Sequence, residues 1–389
     1  MANKLWFSRA TAAVAAGALA FTLAACGGEG AGGGAGAGGG AEDDAEGGLV
    51  GVAMPTETSE RWIADGDAVQ SGLEEAGYEV DLQFAGDDIP TQQQQIDAMI
   101  NAGAEALVIA AIDGTALAPQ LEAAAAAEIP VISYDRLIRD SENVDFYVSF
   151  DNFQVGVAQA NALLVGLGLV DEEGEPVEDA PKGPFNVELF AGSLDDNNAH
   201  FFWDGAMSIL EPYIEDGTLV VPSEQTDIEQ TATQRWLQEK AQSRMEDLLT
   251  ANYGGGEKVD GVLAPYDGLS RGIIEALRSA GYKDDEMPVI TGQDAEIASV
   301  KLIADGVQHS TIFKDTRLLA EQAVVAAEAL LAGEEPEANN TEDYDNGVKV
   351  VPAYLLPVVT IYEDNIESEL VETEYWTAEE VESGVAEEE

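Results

Sequence analysis

Basic residues are scarce in this chain: 17 lysines and arginines stand against 75 aspartates and glutamates, a formal charge of −58 at pH 7. That balance excludes nucleic acid as a partner, because phosphates need a basic surface. The acids are scattered rather than set at metal-ligand spacing. They therefore read as a solvated, self-repelling surface suited to a salt-rich setting, with no metal and no cofactor expected. Cysteine is almost absent: Cys26 is the only one, so no internal disulfide can form. Histidine is limited to His200 and His309, neither with metal-ligating neighbours. Long apolar runs are missing too. The stretch at 10–23 is too short for a spanning helix, which needs about 20 apolar residues.

What that stretch does resemble is a secretory signal. Lys4 and Arg9 supply its positive start, and Leu23-Ala24-Ala25-Cys26 follows it as a bacterial lipobox would. The expectation is a signal peptide over 1–25, lipidation of Cys26, and a membrane anchor through that lipid. Residues 26–48 are nearly all Gly, Ala, Asp and Glu, which cannot bury apolar surface and predict a flexible tether. The acidic tail at 377–389 is expected to be a disordered, solvated end.

The chain between tether and tail, roughly 330 residues, is too long for one ordinary core and implies two lobes. Strand-like and helix-like segments alternate through it. Apolar runs at 48–54, 106–111 and 131–134 are separated by helical periodicity after Ser59, at 91–102 and at 116–128. The pattern restarts after 150, with helices at 153–167, 199–212 and 268–280 and one long helix at 230–249. Strands are expected at 185–190, 219–222, 259–264, 288–291 and 308–313, and a last apolar stretch at 348–361 closes the chain. Repeated β-α units with continuous apolar strands predict an α/β fold of two doubly wound, parallel-sheet lobes.

In open parallel sheets, ligands bind beyond the carboxyl ends of the strands. Three such ends carry unusual polar groups: Tyr134-Asp135-Arg136, Tyr266-Asp267 and Gln293-Asp294. Asp196, Asn197 and Asn198 follow a fourth strand. Carboxylates accept hydrogen bonds and guanidinium groups donate several in a fixed fork, which suits a ligand rimmed by hydroxyls. Trp62 and Trp236, one per lobe and each preceded by an arginine, offer flat apolar faces.

These motifs resemble the type I periplasmic sugar-binding proteins, in the xylose and multiple-monosaccharide receptor group. The match runs through Arg61-Trp62-Ile63, Tyr134-Asp135-Arg136, Phe150-Asp151-Asn152-Phe153-Gln154, Asp195-Asp196-Asn197-Asn198, Tyr266-Asp267-Gly268, Gly292-Gln293-Asp294 and Phe313-Lys314-Asp315, in order over roughly 49–376. The resemblance implies that Arg61, Asp135, Arg136, Asp196, Asn198, Asp267 and Gln293 hydrogen-bond a monosaccharide. Trp62 and Trp236 would sandwich its ring, and Lys314 would reach it from the hinge. Lys240 stands where xylose-specific relatives carry an amide, which leaves the choice of sugar open. A three-segment hinge is also implied, with crossings near Asp151, Gln293–Ala295 and Glu335. That gives an N-terminal lobe of 49–150 plus 295–335 and a C-terminal lobe of 151–294 plus 336–376.

The function implied is that of a monomeric solute-binding lipoprotein. It would close on an aldose (xylose, arabinose, galactose or glucose) and deliver it to the permease and ATPase of an ABC-type importer. Delivery to a chemotaxis or signalling receptor stays open beside it. An enzyme acting on sugars would need Asp135 and Asp267 as a carboxylate pair with one protonated, and Arg136 beside Asp135 argues against that. No nucleophile motif or phosphate loop is present.

Overall fold

The computed structural model describes residues 47–386. The expected secretory segment, Cys26 and all but the end of the expected tether lie outside the described residues, as do the last three of the acidic tail. No helix among the described residues is long and apolar enough to cross a membrane.

The first lobe begins with β1 (Leu49–Met54), α1 (Glu60–Glu75), β2 (Glu79–Phe84), α2 (Ile89–Ala102), β3 (Ala106–Ile109), α3 (Ala118–Ala126), β4 (Val131–Tyr134) and β5 (Phe146–Phe150). The strands pair in parallel in the order β2-β1-β3-β4-β5. All four residues of β3, Ala-Leu-Val-Ile, are buried, so the sheet needs cover on both faces. Side chains alternate to provide it. Val50, Val52 and Met54 meet Val69 and Leu73 of α1, whereas Ala53, between them, faces Ile96 and Met99 of α2. Local chemistry fixes the helix ends. Asp88 caps α2 by accepting from Thr91 N at 2.9 Å, and Gly103 stops it in the left-handed region at φ 90°.

The second lobe follows with α4 (Asn152–Gly166), β6 (Phe185–Leu189), α5 (Asn197–Glu215), β7 (Leu219–Val220), α6 (Ile228–Thr231), α7 (Gln238–Asn252), β8 (Gly261–Leu263), α8 (Asp267–Ser279) and β9 (Val289–Ile290). Its sheet is also parallel, in the order β7-β6-β8-β9. Helices α4 and α5 cover one face, α7 and α8 the other. The chain ends with α9 (Ile297–Ala304), β10 (Thr311–Phe313), α10 (Thr316–Leu331), β11 (Ala353–Leu356), β12 (Val359–Ile361) and α11 (Ala378–Ser383).

Four expectations need correction. The first concerns the hinge. Leu302 and Val307 pack into the second-lobe core and Ile312 bridges Gln293, so 295–313 belongs with the second lobe, not the first. Strand β11 pairs in parallel with β5, and Leu319–Ala327 of α10 pack on the first sheet. The chain therefore crosses at 150–151, again at 314–315 and last at 357–358. The turn at 293–295 looked like a crossing, but left-handed Asp294 (φ 91°) and Ala295 (φ 49°) reverse the chain locally without leaving the lobe. The single apolar stretch at 348–361 is for the same reason split between two sheets, as β11 and β12.

The expected helix at 230–249 is broken. Between α6 and α7, Arg235 (φ 54°) and Trp236 (φ 56°) are both left-handed, which no α-helix accommodates. The sequence pattern predicts no strand over 146–150, where the structure forms β5, because Phe-Tyr-Val-Ser-Phe is short and continuous rather than periodic. Finally, the tail is ordered as far as Ser383. Thr377 and Glu380 form a capping box, and Val381 packs on the cluster of Ile297, Val300 and Leu370.

Candidate functional site

The carboxyl ends of both sheets face a cavity of about 410 Å³. Arg61, Trp62, Asp135, Arg136, Asp196, Asn198, Trp236, Gln293 and Lys314 all line it. They come from the start of α1, the ends of β4 and β9, the start of α5, the break before α7 and the segment after β10. Five of the chain's 17 basic residues (Arg61, Arg136, Arg235, Arg271 and Lys314) line this one cavity. The site thus gathers basic groups that are scarce in the chain as a whole.

Arg61 organises the first-lobe wall. Its Nη2 lies 2.5 Å from Asp135 Oδ2 and its Nε 2.8 Å from Asp65 Oδ2, with Asp294 Oδ1 at 3.9 Å from Nη1. Burial works against its charge, but Asp135, Asp65 and Asp294 outweigh burial and hold the guanidinium protonated well above its ordinary range. Burial likewise opposes ionisation of Asp135, yet Arg61 and Lys314 pull its carboxyl below the usual range. Arg61 is therefore the main partner of Asp135, where the sequence suggested Arg136. Arg136 instead reaches Asp196 of the other lobe at 3.3 Å. Both guanidinium groups lie over the Trp62 ring, at 4.5 and 5.0 Å from its centroid.

The second-lobe wall is built on Asp196, which caps α5 through Asn198 N at 2.9 Å and accepts from Trp236 Nε1 at 3.2 Å. Burial raises the pKa of Asp196, opposed in part by Arg136. Asn198 Nδ2 donates to the Asp135 carbonyl at 2.8 Å, tying the two walls at the hinge. Lys314, buried in the hinge, holds Asp294 at 2.9 Å. Gln293 is 3% exposed and its Oε1 has no protein partner, a buried acceptor that a bound donor would satisfy.

Backbone strain concentrates here. Of eleven described non-glycine residues with positive φ, five line the cavity: Asp87, Asp135, Arg235, Trp236 and Asp294. Strained backbone of this kind persists where surrounding contacts hold it.

Two predicted residues are elsewhere. Asp267 is fully buried outside the lining, its oxygens taken by Gln308 Nε2 (2.9 Å), Thr311 Oγ1 (3.0 Å) and Glu296 N (3.0 Å). Burial and the neighbouring Glu296 push its pKa well up. Lys240 is exposed on the first turn of α7, because the preceding break sends Ala241 and Met245 to the core instead. Neither contributes a wall. Tyr266, Asp294 and Arg235, which stand in the sequence motifs without an assigned role, also line the cavity. Phe202 lines it too, from within α5, with no signal in the sequence beyond hydrophobicity.

The family model for the periplasmic binding protein domain matches residues 50–335. The chain belongs to the periplasmic binding protein family. This periplasmic binding protein is 53% identical over 339 residues to the multiple sugar-binding periplasmic receptor ChvE of Rhizobium radiobacter, covering 87% of this chain and 93% of that one. It is 51% identical to the multiple sugar-binding periplasmic protein SbpA of Azospirillum brasilense, covering 84% and 89%. Among solved structures, it is similar to an ABC transporter solute-binding protein of Clostridium phytofermentans with bound β-D-glucose. The TM-score is 0.80 at 44% identity, covering 86% of this chain and 99% of the other. A member of this family is a binding protein, not an enzyme, and the type I fold is the one its two parallel sheets form.

Proposed function

We propose that this periplasmic binding protein is an extracytoplasmic receptor for an aldose such as glucose, galactose, xylose or arabinose, and that it presents the closed form to an ABC-type importer. The observation that carries this reading is the cavity itself. Fixed donors (Arg61, Arg136, Lys314, Asn198) and fixed acceptors (Asp135, Asp196, Gln293 Oε1) line it together, and indole rings stand in its wall. A sugar hydroxyl is both donor and acceptor, so such a mixed lining satisfies it, while the sugar's C–H faces suit an aromatic platform. Trp236 is that platform. Trp62 already carries two guanidinium groups, and serves mainly to hold Arg61 and Arg136 toward the ligand. The sugar-binding relatives and the glucose-bound neighbour support the same class of ligand.

Sugar joins the lobes by contacting both, which favours closure through differential affinity for the closed form. Contacts already span the cleft: Arg235 donates to the Asp87 carbonyl, and Ser59 Oγ donates to Glu296 Oε1 at 3.0 Å. Lipidation at Cys26 would keep the receptor at the membrane beside its importer; a radiolabelled-palmitate incorporation assay on the Cys26→Ala chain tests it. The sugar reading is tested by titrating the purified chain with each aldose and following tryptophan emission. Saturable change with at least one of them is expected, and no response to any would sink the assignment.

A further inference from the structure

We propose that Gly192 sets the width of the sugar cavity by letting the Trp236 indole lie back against the backbone that follows β6. The inference rests on the aldose reading above and names a residue that touches no ligand. A Cβ built on Gly192 would fall well inside van der Waals contact of the indole carbons Cη2 and Cζ2, and 2.7 Å from Cζ3. Real Cβ atoms do not approach so closely, so with any other residue here the ring must move.

The ring has one direction in which to go. Its other sides are held by Phe202 (centroids 6.2 Å apart, 67°) and Tyr266 (6.1 Å, 88°), both edge-on. Its Nε1 is tethered to Asp196 Oδ2. The backbone carrying it is fixed as well. Thr233 N donates to the carbonyls of Ala191 (3.0 Å) and Gly192 (3.2 Å), and Arg235 N donates to Ser193 Oγ at 2.7 Å. Arg235 and Trp236 are held left-handed by these bonds, so the loop cannot retreat without losing them. A side chain at 192 therefore drives the indole into the cavity. Gly192 is a positioning residue: a side chain there would narrow the cavity, which penalises the larger of two otherwise identical sugars.

Glucose and xylose differ by one exocyclic hydroxymethyl group alone, which makes them the probe pair. Calorimetric titration of the Gly192→Ala chain should weaken glucose by about 10-fold or more and xylose clearly less, lowering the glucose-to-xylose affinity ratio. A purely structural defect would weaken both alike. Adding Trp236→Phe, which removes the colliding ring carbons, should restore the ratio. Wild-type affinities for both sugars in Gly192→Ala, equal losses, or no restoration by the second change overturn the inference. If Gly192→Ala does not fold, Trp236→Phe alone decides: the ratio should rise above wild type, and an unchanged ratio overturns the proposal. A wild-type chain that binds neither sugar overturns the aldose reading itself.

Discussion

Asp65 stands directly behind Arg61: its Oδ2 accepts from the guanidinium Nε at 2.8 Å while its Oδ1 accepts from the Tyr134 hydroxyl at 2.5 Å. It has no place in the cavity lining, yet it shares with Asp135 the guanidinium that does. Burial raises its pKa from 3.8 to about 6, against the pull of Arg61. Protonation near that value removes one charged partner of Arg61. Sugar affinity is therefore expected to fall between pH 7 and pH 5. In the Asp65→Asn chain, affinity at pH 7 should already be lower by about 1.5–3 kcal/mol, as for a hydrogen bond to a charged group, and its pH profile flatter. Identical titrations of the two chains across this range would refute the coupling.

The same group makes a stability prediction of opposite sense. A folded-state pKa above the unfolded value means the folded chain holds a proton that the unfolded chain has released between pH 3.8 and about 6. The Asp65 contribution thus favours folding as pH drops through about 6, and is lost as pH rises through it. Melting temperatures of wild type minus Asp65→Asn, plotted against pH, should rise from pH 7 to pH 5.

Asp135 accepts from Arg61 and sits beside Lys314 in a buried setting. Asp135→Ala leaves those cations short of a partner and removes a sugar acceptor. The expected loss is about 2–5 kcal/mol of binding. Calorimetry with glucose measures it directly, and an unchanged Kd would mean that the carboxylate only braces Arg61.

Lys240 and Asp267 should separate binding from folding. Lys240→Ala is expected to leave affinity for every aldose unchanged, since the side chain is exposed on α7. Asp267→Ala strands the donors of Gln308, Thr311 and the Glu296 backbone, at a cost to stability of about 1–3 kcal/mol. Urea titration reads that loss; a large affinity change without a stability change would restore Asp267 to the binding wall.

A net charge of −58 repels itself at low ionic strength. Raising salt from 0.1 to 1 M shortens the Debye length from about 10 to about 3 Å, so the melting temperature should climb over that range. A flat response would mean that the acids are too well separated to matter.

The amino-acid sequence by itself determined the class of fold, because continuous apolar runs such as Ala-Leu-Val-Ile in β3 and helical periodicity between them are local properties. It also determined most of the cavity, since Asp135, Asp196 and Gln293 each follow a strand that aims them there. Tertiary structure alone decided the rest. The path of the chain after residue 293 depended on which sheet could pair with 353–356, a long-range choice that no local pattern encodes. The exclusion of Asp267 and Lys240 depended on hydrogen-bond partners and on a left-handed break at Arg235 and Trp236. Asp65 and Gly192 were invisible for the same reason: a buried carboxylate matters through what it faces, and a glycine through what lies where its Cβ would be.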